Sequence, residues 1–288
     1  MAHRRGLAHL ALAVTLVLWA SAFVGIRYLA PHFTPGALSL GRLLVGSVVL
    51  LVAILVSRSW VSPTPRQWLG LVAIGGLWFG VYNVALNAGE QLIDAATSAM
   101  LIQISPVLIA LLSVIALGER LSGWLMLGMA VAFAGVIVIG TAQSEGARTN
   151  VAGVALCVLA ALSYAISLVI QKPLVGSLSA LQVTGVACFI GALACLPFAP
   201  RLVSDLQAAP LSASAALVYL GVFPTAVAFT TYAYALRYVS ASELGVSTYL
   251  VPPLAALISL VVLSEVPAAI TWAGGLMCLA GVALTRRR

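Results

Sequence analysis

Asn83, Asn87 and Glu90 follow one another at intervals of four and three residues inside a long apolar segment. This spacing places the three side chains on one stripe of a helix, and Tyr82 lies next to the stripe. The two carboxamides offer hydrogen-bond donors and acceptors that suit an amino group or a carboxylate. The stripe therefore predicts either a lining for a polar ligand or hydrogen bonds between neighbouring helices.

Gln103 and Tyr249 hold equivalent positions, because each lies three residues before a proline inside an apolar segment. Pro106 and Pro252 cannot donate to the carbonyls four residues before them, so each is predicted to kink its helix. A carbonyl freed within lipid must be satisfied by another group, and such a kink belongs beside a cavity. A kink that only shapes the packing is the alternative.

Aromatic residues complete the predicted ligand contacts. Trp19 and Tyr164 lie near the middle of their apolar segments, where they are predicted either to line a pocket or to pack. A later segment carries two polar stripes, Thr225, Phe229 and Tyr232 on one and Thr230, Tyr234 and Arg237 on the other. We expect Tyr232 to face inward, since it pairs with Thr225 toward the middle of the segment.

Arg42 lies about two turns into an apolar segment, where a charge costs ~2.5 to 3.5 kcal/mol at the bilayer centre. Pairing with an acidic side chain or extension toward the interface would relieve this cost. Glu90 and Asp94 are predicted to lie at the same level of the membrane. The sequence predicts that Arg42, or Arg27 in its place, pairs with one of these acids as an outer gate, and a static ion pair is the alternative.

The elements that must position these residues are membrane-spanning helices. A chain of 288 residues with 62% hydrophobic and 7% charged residues cannot bury its apolar surface in one water-soluble core. Runs of about 20 apolar residues match the hydrocarbon thickness of a bilayer. We predict ten spans, at residues 7–28, 36–57, 67–89, 93–117, 122–142, 151–171, 178–199, 211–236, 240–263 and 268–285.

The net charge of +7 is spread between the spans, which favours membrane topology over nucleic-acid binding. With the N-terminus inside, the cytoplasmic side receives Arg4, Arg5, Arg58, Arg66, Arg120, Lys172, Arg237, Arg286, Arg287 and Arg288, and the outer loops receive Arg148 and Arg201. This bias predicts a multi-pass protein of the bacterial-type plasma (inner) membrane. An even number of spans places both termini in the cytoplasm.

The chain carries no pattern typical of an enzyme or a metal site. Its three histidines lie near the N-terminus, HExxH and GxSxG are absent, and the four cysteines fall inside predicted spans without a CxxC pair. We therefore expect no catalytic residues, no metal and no cofactor. The expected partners are a small-molecule substrate and membrane lipid, and a homodimer is left open.

The stretch LIQISPVLIALLSVIALGERL at residues 101–121 returns as STYLVPPLAALISLVVLSEVP at residues 247–267. The offset of 146 residues also relates Gly128 to Gly274 and Gly135 to Gly281. The fold class is thus predicted as all-α, with ten transmembrane helices in two five-helix repeats, residues 1–143 and 144–288. Five is odd, so the repeats are inverted around a central cavity, as in transporters that work by alternating access.

The proline helices with their closing Leu-x-Glu-Arg, together with Trp19-Ala20, Tyr164-Ala165 and YVSASE, resemble the EamA family of the drug/metabolite transporter superfamily. The second copy has Val266 in place of the arginine, so only Glu119 and Arg120 can form the local pair. The resemblance implies an exporter of small metabolites, with relatives that move amino acids, aromatic ones among them. A channel-like permease, an uptake carrier, proton coupling and facilitated diffusion all remain open.

Overall fold

The computed structural model describes residues 2–58, 60–92, 101–141, 150–263 and 269–285, and every regular element within these ranges is helical. The first half contains α1 (Ala2–Leu29), α2 (Pro35–Ser57), α3 (Pro65–Ile74), α4 (Asn83–Leu92), α5 (Ser105–Leu117) and α6 (Gly123–Thr141). The second half contains α7 (Val151–Ser177), α8 (Ala180–Ala194), α9 (Ala199–Ala208), α10 (Leu211–Leu220), α11 (Ala228–Tyr238), α12 (Ala241–Ser247), α13 (Val251–Leu263) and α14 (Ala269–Leu284).

Six helical stretches of the described chain are long and apolar enough to cross a membrane, and a bent pair makes a seventh if it counts as one span. The six are Gly6–Ile26, Pro35–Ser57, Pro65–Gly89, Val151–Ser177, Leu211–Tyr238 and Ala241–Val262. Three shorter apolar helices, Ser105–Leu117, Gly123–Val138 and Trp272–Leu284, overlap the remaining predicted spans. The predicted all-helical, multi-pass membrane protein is confirmed, and the count of ten spans stays a prediction.

The bent pair corrects the sequence prediction for residues 178–199. Helix α8 ends at Ala194, and the chain turns by 52° into a second helical stretch that ends at Ala208, where we expected a loop. Asp205 on α9 connects this second helical stretch to α2. Its Oδ2 accepts hydrogen bonds from the backbone N and the Oγ1 of Thr34, at 2.8 and 2.9 Å, so α9 is held against the start of α2.

The chain divides into two compact units. Unit 1 comprises Met1–Asn87 and Ile170–Val239, and unit 2 comprises Ala88–Val169 and Ser240–Arg288. Each unit therefore takes chain segments from both predicted repeats. The repeat boundary between residues 143 and 144 stays a prediction.

Two π-helical segments interrupt helices of unit 1 at equivalent places. Segment π1 (Gly75–Tyr82) joins α3 to α4, and segment π2 (Gly221–Val227) joins α10 to α11. Their first glycines lie 146 residues apart, the offset of the sequence repeat. A Cβ on Gly75 would lie 2.8 Å from the carbonyl oxygen of Ala187, and one on Gly221 would lie 2.5 Å from the Cβ of Val45. Each π segment therefore begins where a neighbouring helix leaves no room for a side chain.

We expect Gly75→Ala to lower the stability of the purified protein. Its new methyl group would lie 2.8 Å from the carbonyl oxygen of Ala187 and 2.7 Å from the Cβ of Ile190. Overpacking of this kind typically costs about 1–3 kcal/mol. The adjacent Gly76→Ala is a matched control, because nothing lies within 4 Å of its added Cβ. Thermal unfolding of both variants provides the measurement, and equal midpoints would contradict the close contact at Gly75.

Unit 2 contains a close crossing of α6 and α14 that is built on glycines. A Cβ on Gly128 would lie 2.5 Å from the carbonyl oxygen of Gly281, and a Cβ on Gly281 would lie 2.6 Å from that of Gly128. A Cβ on Gly135 would lie 2.6 Å from the carbonyl oxygen of Gly274. Small residues let helix backbones approach closely in lipid, where packing replaces the hydrophobic effect as the driving force. The four glycines are those related by the 146-residue offset.

Candidate functional site

Five aromatic rings form a connected cluster inside unit 1. The ring of Trp19 lies 4.7 Å from Tyr232 and 5.3 Å from Phe229, measured between centroids. Trp78 lies 5.0 Å from Phe229, and Phe79 lies 4.7 Å from the same ring. Tilted and edge-on arrangements at these separations are the favourable geometry for aromatic pairs. The cluster brings together the predicted residues Trp19 and Tyr232.

The backbone explains how these rings converge. Trp78 and Phe79 lie within π1, whereas Phe229 and Tyr232 lie on α11 just after π2. A π segment adds a residue to the helical turn and is frequent at functional sites. Four of the rings are buried, and Trp19 is the one of the five that is only half-buried. Trp19 is therefore the least buried ring of this cluster, which we call the aromatic wall.

The amide groups of the predicted polar stripe are engaged within unit 1. Asn83 Nδ2 donates to the carbonyl oxygens of Trp78 and Phe79, at 3.2 and 2.9 Å. It thereby satisfies carbonyls of π1, whose hydrogen-bond pattern departs from that of an α-helix. Asn87 Nδ2 donates to Ser39 Oγ at 2.8 Å and to the Pro35 carbonyl at 3.1 Å. These bonds hold α4 against the start of α2, while Tyr82 beside them is half-buried.

Arg42 reaches the second π segment. Its Nε donates to Thr225 Oγ1 at 3.1 Å, and the Thr225 hydroxyl donates to the Leu220 carbonyl at 2.8 Å. The guanidinium thus interacts with π2 within unit 1. The predicted gate partners, the Glu90 side chain and Asp94, lie outside the described residues, so the gate stays a prediction.

In unit 2, the kink predicted at Pro106 is an interruption of the helix that lies just before the proline. Gln103 and Ile104 form a turn, and α5 begins at Ser105 with Pro106 in its first helical turn. The carbonyl of Ile102, which Pro106 cannot serve, accepts a hydrogen bond from the Ser105 hydroxyl at 2.5 Å. Gln103 lies in this break with only 8% of its surface exposed.

The equivalent break before Pro252 is a 3-10 turn that contains Tyr249. Tyr249 is fully buried, its ring lies 6.2 Å from Phe133, and its hydroxyl has no hydrogen-bond partner among the described residues. A buried hydroxyl without a partner is costly unless a ligand or water serves it. Tyr164, on α7, is also buried in this unit.

A side-chain contact that sequence reasoning missed ties two distant segments of unit 2 together. Glu119 Oε1 accepts a hydrogen bond from the backbone N of Ala241 at 2.7 Å, and Oε2 accepts from the N and Oγ of Ser242 at 3.1 and 2.7 Å. A carboxylate is stabilised by the N-terminus of a helix, here α12. The expected local pair with Arg120 is replaced by this cap, and the available signal was the Ser-Ala-Ser-Glu start of the predicted ninth span.

Glu119→Gln is expected to destabilise the protein by about 1.5–3 kcal/mol, the usual range for hydrogen bonds to a charged group. A carboxamide keeps only one acceptor oxygen and turns an NH₂ group toward backbone donors. Arg120→Gln serves as control, because its side chain is exposed and takes no part in the cap. Thermal unfolding in the same detergent compares the two, and an Arg120→Gln midpoint as low as that of Glu119→Gln would contradict the assignment.

Comparison with known proteins gives a consistent family. The model of the EamA-like transporter family matches the chain twice, at residues 6–141 and 151–287. The chain is 37% identical to a probable terminal-alkyne amino-acid exporter of Streptantibioticus cattleyicolor, over 96% of this chain and 93% of that protein. It is 31% identical to the uncharacterized transporter YdfC of Bacillus subtilis, over 93% of this chain and 87% of that protein.

A solved crystal structure shares the fold. It is 22% identical in sequence, with a TM-score of 0.81 over 97% of this chain and 96% of that chain. At 22% sequence identity, this similarity supports the fold and carries no information about the substrate.

Proposed function

We propose that this chain, which belongs to the EamA-like transporter family, exports amino acids with apolar side chains that are aromatic or otherwise unsaturated. The observation that carries the proposal is the 37% identity, over 96% of the chain, to a protein named as a probable terminal-alkyne amino-acid exporter. Similarity of this extent covers the helices that hold every proposed contact. The matched family and the named relatives are transporters.

The aromatic wall of unit 1 supports the side-chain preference. Its rings present π faces and hydrogen edges, which favour other unsaturated groups in stacked or edge-on contact. Trp19 is the half-buried member and lies against Tyr232, so we assign these two residues to the apolar side chain of the substrate. Asn83 and Asn87 are then assigned the role of holding π1 and α4 in place, with Tyr82 beside them.

Unit 2, taken by itself, offers polar groups that suit an amino or a carboxylate group. Gln103 and Tyr249 precede the two equivalent prolines, and the buried Tyr249 hydroxyl lacks a partner among the described residues. Tyr164 is retained as a third candidate residue of unit 2. A few polar groups within apolar walls is the usual composition of a ligand site.

The proposed mechanism is alternating access between two inverted five-helix repeats, residues 1–143 and 144–288. The twofold family match supports a repeat. The π segments begin 146 residues apart, and the glycines of the α6–α14 crossing are related by the same offset, which supports equivalent packing of the two copies. In transporters with inverted repeats, one repeat moves against the other around a fixed binding site, and this motion opens the site to each side of the membrane in turn.

The proposed location is the inner membrane of a bacterial-type cell, with both termini in the cytoplasm, as the distribution of basic residues favours. After replacement of the native cysteines, a cysteine at the exposed Ser204 should react with an impermeant thiol reagent added outside intact cells. A cysteine at the exposed Ser122 should not react. The reverse pattern would overturn the orientation.

Efflux from loaded cells tests the substrate class. Bacterial cells that express the protein are loaded with labelled propargylglycine, phenylalanine or glutamate and then diluted into label-free medium. We expect faster loss of propargylglycine and phenylalanine than in cells without the protein, and equal loss of glutamate, whose second carboxylate does not suit an aromatic wall. Acceleration of glutamate alone would refute the proposed substrate class.

A further inference from the structure

A cavity of unit 1 lies between the start of α8 and α11. Its volume is about 360 Å³, and its walls are mainly apolar. Among its lining residues are Ser179 and Leu181 from the start of α8, and Thr230, Tyr234 and Arg237 from α11. Thr230, Tyr234 and Arg237 form the second of the two polar stripes predicted for this segment. None of the three is among the proposed substrate contacts.

The ends of two helices fix the level of this cavity in the membrane. Ser179 is the N-cap of α8, and Arg237 lies in the last turn of α11, which ends a long apolar span at Tyr238. The rim therefore lies at the interface where lipid headgroups are found. Thr230, seven residues before Arg237, lies about 10 Å deeper at a rise of 1.5 Å per residue. The cavity is cationic at the headgroup level, and below it the walls are mainly apolar and include Thr230 and Thr231.

Two side chains at the rim are available to a ligand, and the third, Ser179, accepts from the backbone N of Gln182 at 3.1 Å and keeps its own O–H as a donor. Arg237 is exposed, and neither its guanidinium nor the Tyr234 hydroxyl has a hydrogen-bond or ion-pair partner among the described residues. Arg237 is also not needed to cap α11. Lys172 Nζ already donates to the carbonyl oxygen of Leu236 at 2.6 Å and to that of Val239. A cation near the last turn of a helix usually serves those carbonyls, and here a different residue does so.

We propose that this cavity binds one anionic phospholipid, whose phosphate lies against Arg237, Tyr234 and Ser179. A guanidinium pairs with phosphate oxygens through two parallel hydrogen bonds, and hydroxyl groups add further donors. The apolar walls between Leu181 and Thr230 cover the glycerol backbone and the start of an acyl chain. Basic pockets between transmembrane helices are a recurrent kind of site for anionic headgroups. The lipid is a bound partner and is distinct from the exported amino acid.

Lipid titration of the purified full-length protein tests the site without any transport assay. Dioleoyl phosphatidylglycerol, dioleoyl phosphatidylcholine and inorganic phosphate are added separately to the protein in a neutral detergent, and native mass spectrometry counts the bound molecules. We expect one phosphatidylglycerol to bind about tenfold more tightly than phosphatidylcholine, since the headgroup charge differs. Inorganic phosphate at the same concentration should neither bind nor displace the lipid, because it cannot fill the apolar part.

Matched variants separate this site from general surface charge. Arg237→Gln should weaken phosphatidylglycerol binding about tenfold, whereas Arg66→Gln, at another exposed arginine of unit 1, should leave it unchanged. Thr230→Phe keeps the charge but fills the apolar part, so it should also weaken binding. The proposal is overturned if Arg237→Gln binds normally, if Arg66→Gln weakens binding equally, if the two lipids bind alike, or if free phosphate displaces the lipid.

Discussion

Gly128→Val is expected to prevent folded protein from accumulating in the membrane. A Cβ at this position meets the Gly281 carbonyl and the Cγ2 of Thr285, each at 2.5 Å, and the backbone N of Thr285 at 3.0 Å. Two of these three atoms are backbone, so no side-chain rotation relieves the clash. The helices α6 and α14 would have to separate, which also breaks the contact between Gly135 and Gly274. We expect a cost of about 3 kcal/mol or more, above the usual range for an inserted methyl group.

Gly123→Val is the matched control, because it lies on the same helix and nothing approaches its added Cβ within 4 Å. The measurement is the monodisperse fraction by size-exclusion chromatography, together with the unfolding midpoint of whatever folds. The control should behave as the wild type does, apart from a small change in helix propensity. Comparable yields and midpoints for the two valine variants would contradict the glycine crossing.

Trp19→Ala is expected to reduce amino-acid export about tenfold or more while the protein still folds. The change removes the half-buried ring and leaves the four buried rings of Trp78, Phe79, Phe229 and Tyr232 in contact with one another. Loss of an aromatic contact weakens binding through lost area and lost ring geometry. Trp19→Phe, which keeps an aromatic face, should retain much of the activity.

Trp68→Ala is the control for the loss of a tryptophan. Trp68 lies on α3 in the same unit and is 41% exposed. Initial efflux rates of labelled propargylglycine, measured at equal protein in the membrane, should fall for Trp19→Ala and stay unchanged for Trp68→Ala. Equal rates for wild type and Trp19→Ala would remove the aromatic wall from the substrate site.

The sequence predicted the helices from their apolar runs, because lipid requires every backbone polar group to be satisfied within its own segment. It also related the two proline helices, because proline and glutamate are rare inside apolar segments and their matched positions therefore make the alignment informative. The π segments were not predicted, because one added residue per turn barely changes an apolar pattern. The glycines at 75 and 221 were the available signal, since both lie at the repeat offset.

Side-chain contacts were harder to predict than helices. The spacing of Asn83 and Asn87 placed them on one stripe, but two of their acceptors are carbonyls of π1 and two lie at the start of α2. Glu119 accepts from residues more than 120 positions later. Periodicity reports which residues share a face of a helix and carries no information about which distant backbone groups lack a partner.

Counterflow in proteoliposomes tests the central claim, that the protein is an amino-acid carrier, most directly. Vesicles that contain the purified protein are preloaded with unlabelled propargylglycine and diluted into a trace of the labelled compound. A carrier that exposes its site to one side at a time exchanges external label for internal substrate, so label should accumulate transiently above its equilibrium level. Vesicles preloaded with glutamate should show no such overshoot. Monotonic entry of label to equilibrium, at a rate independent of the preloaded amino acid, would contradict the account.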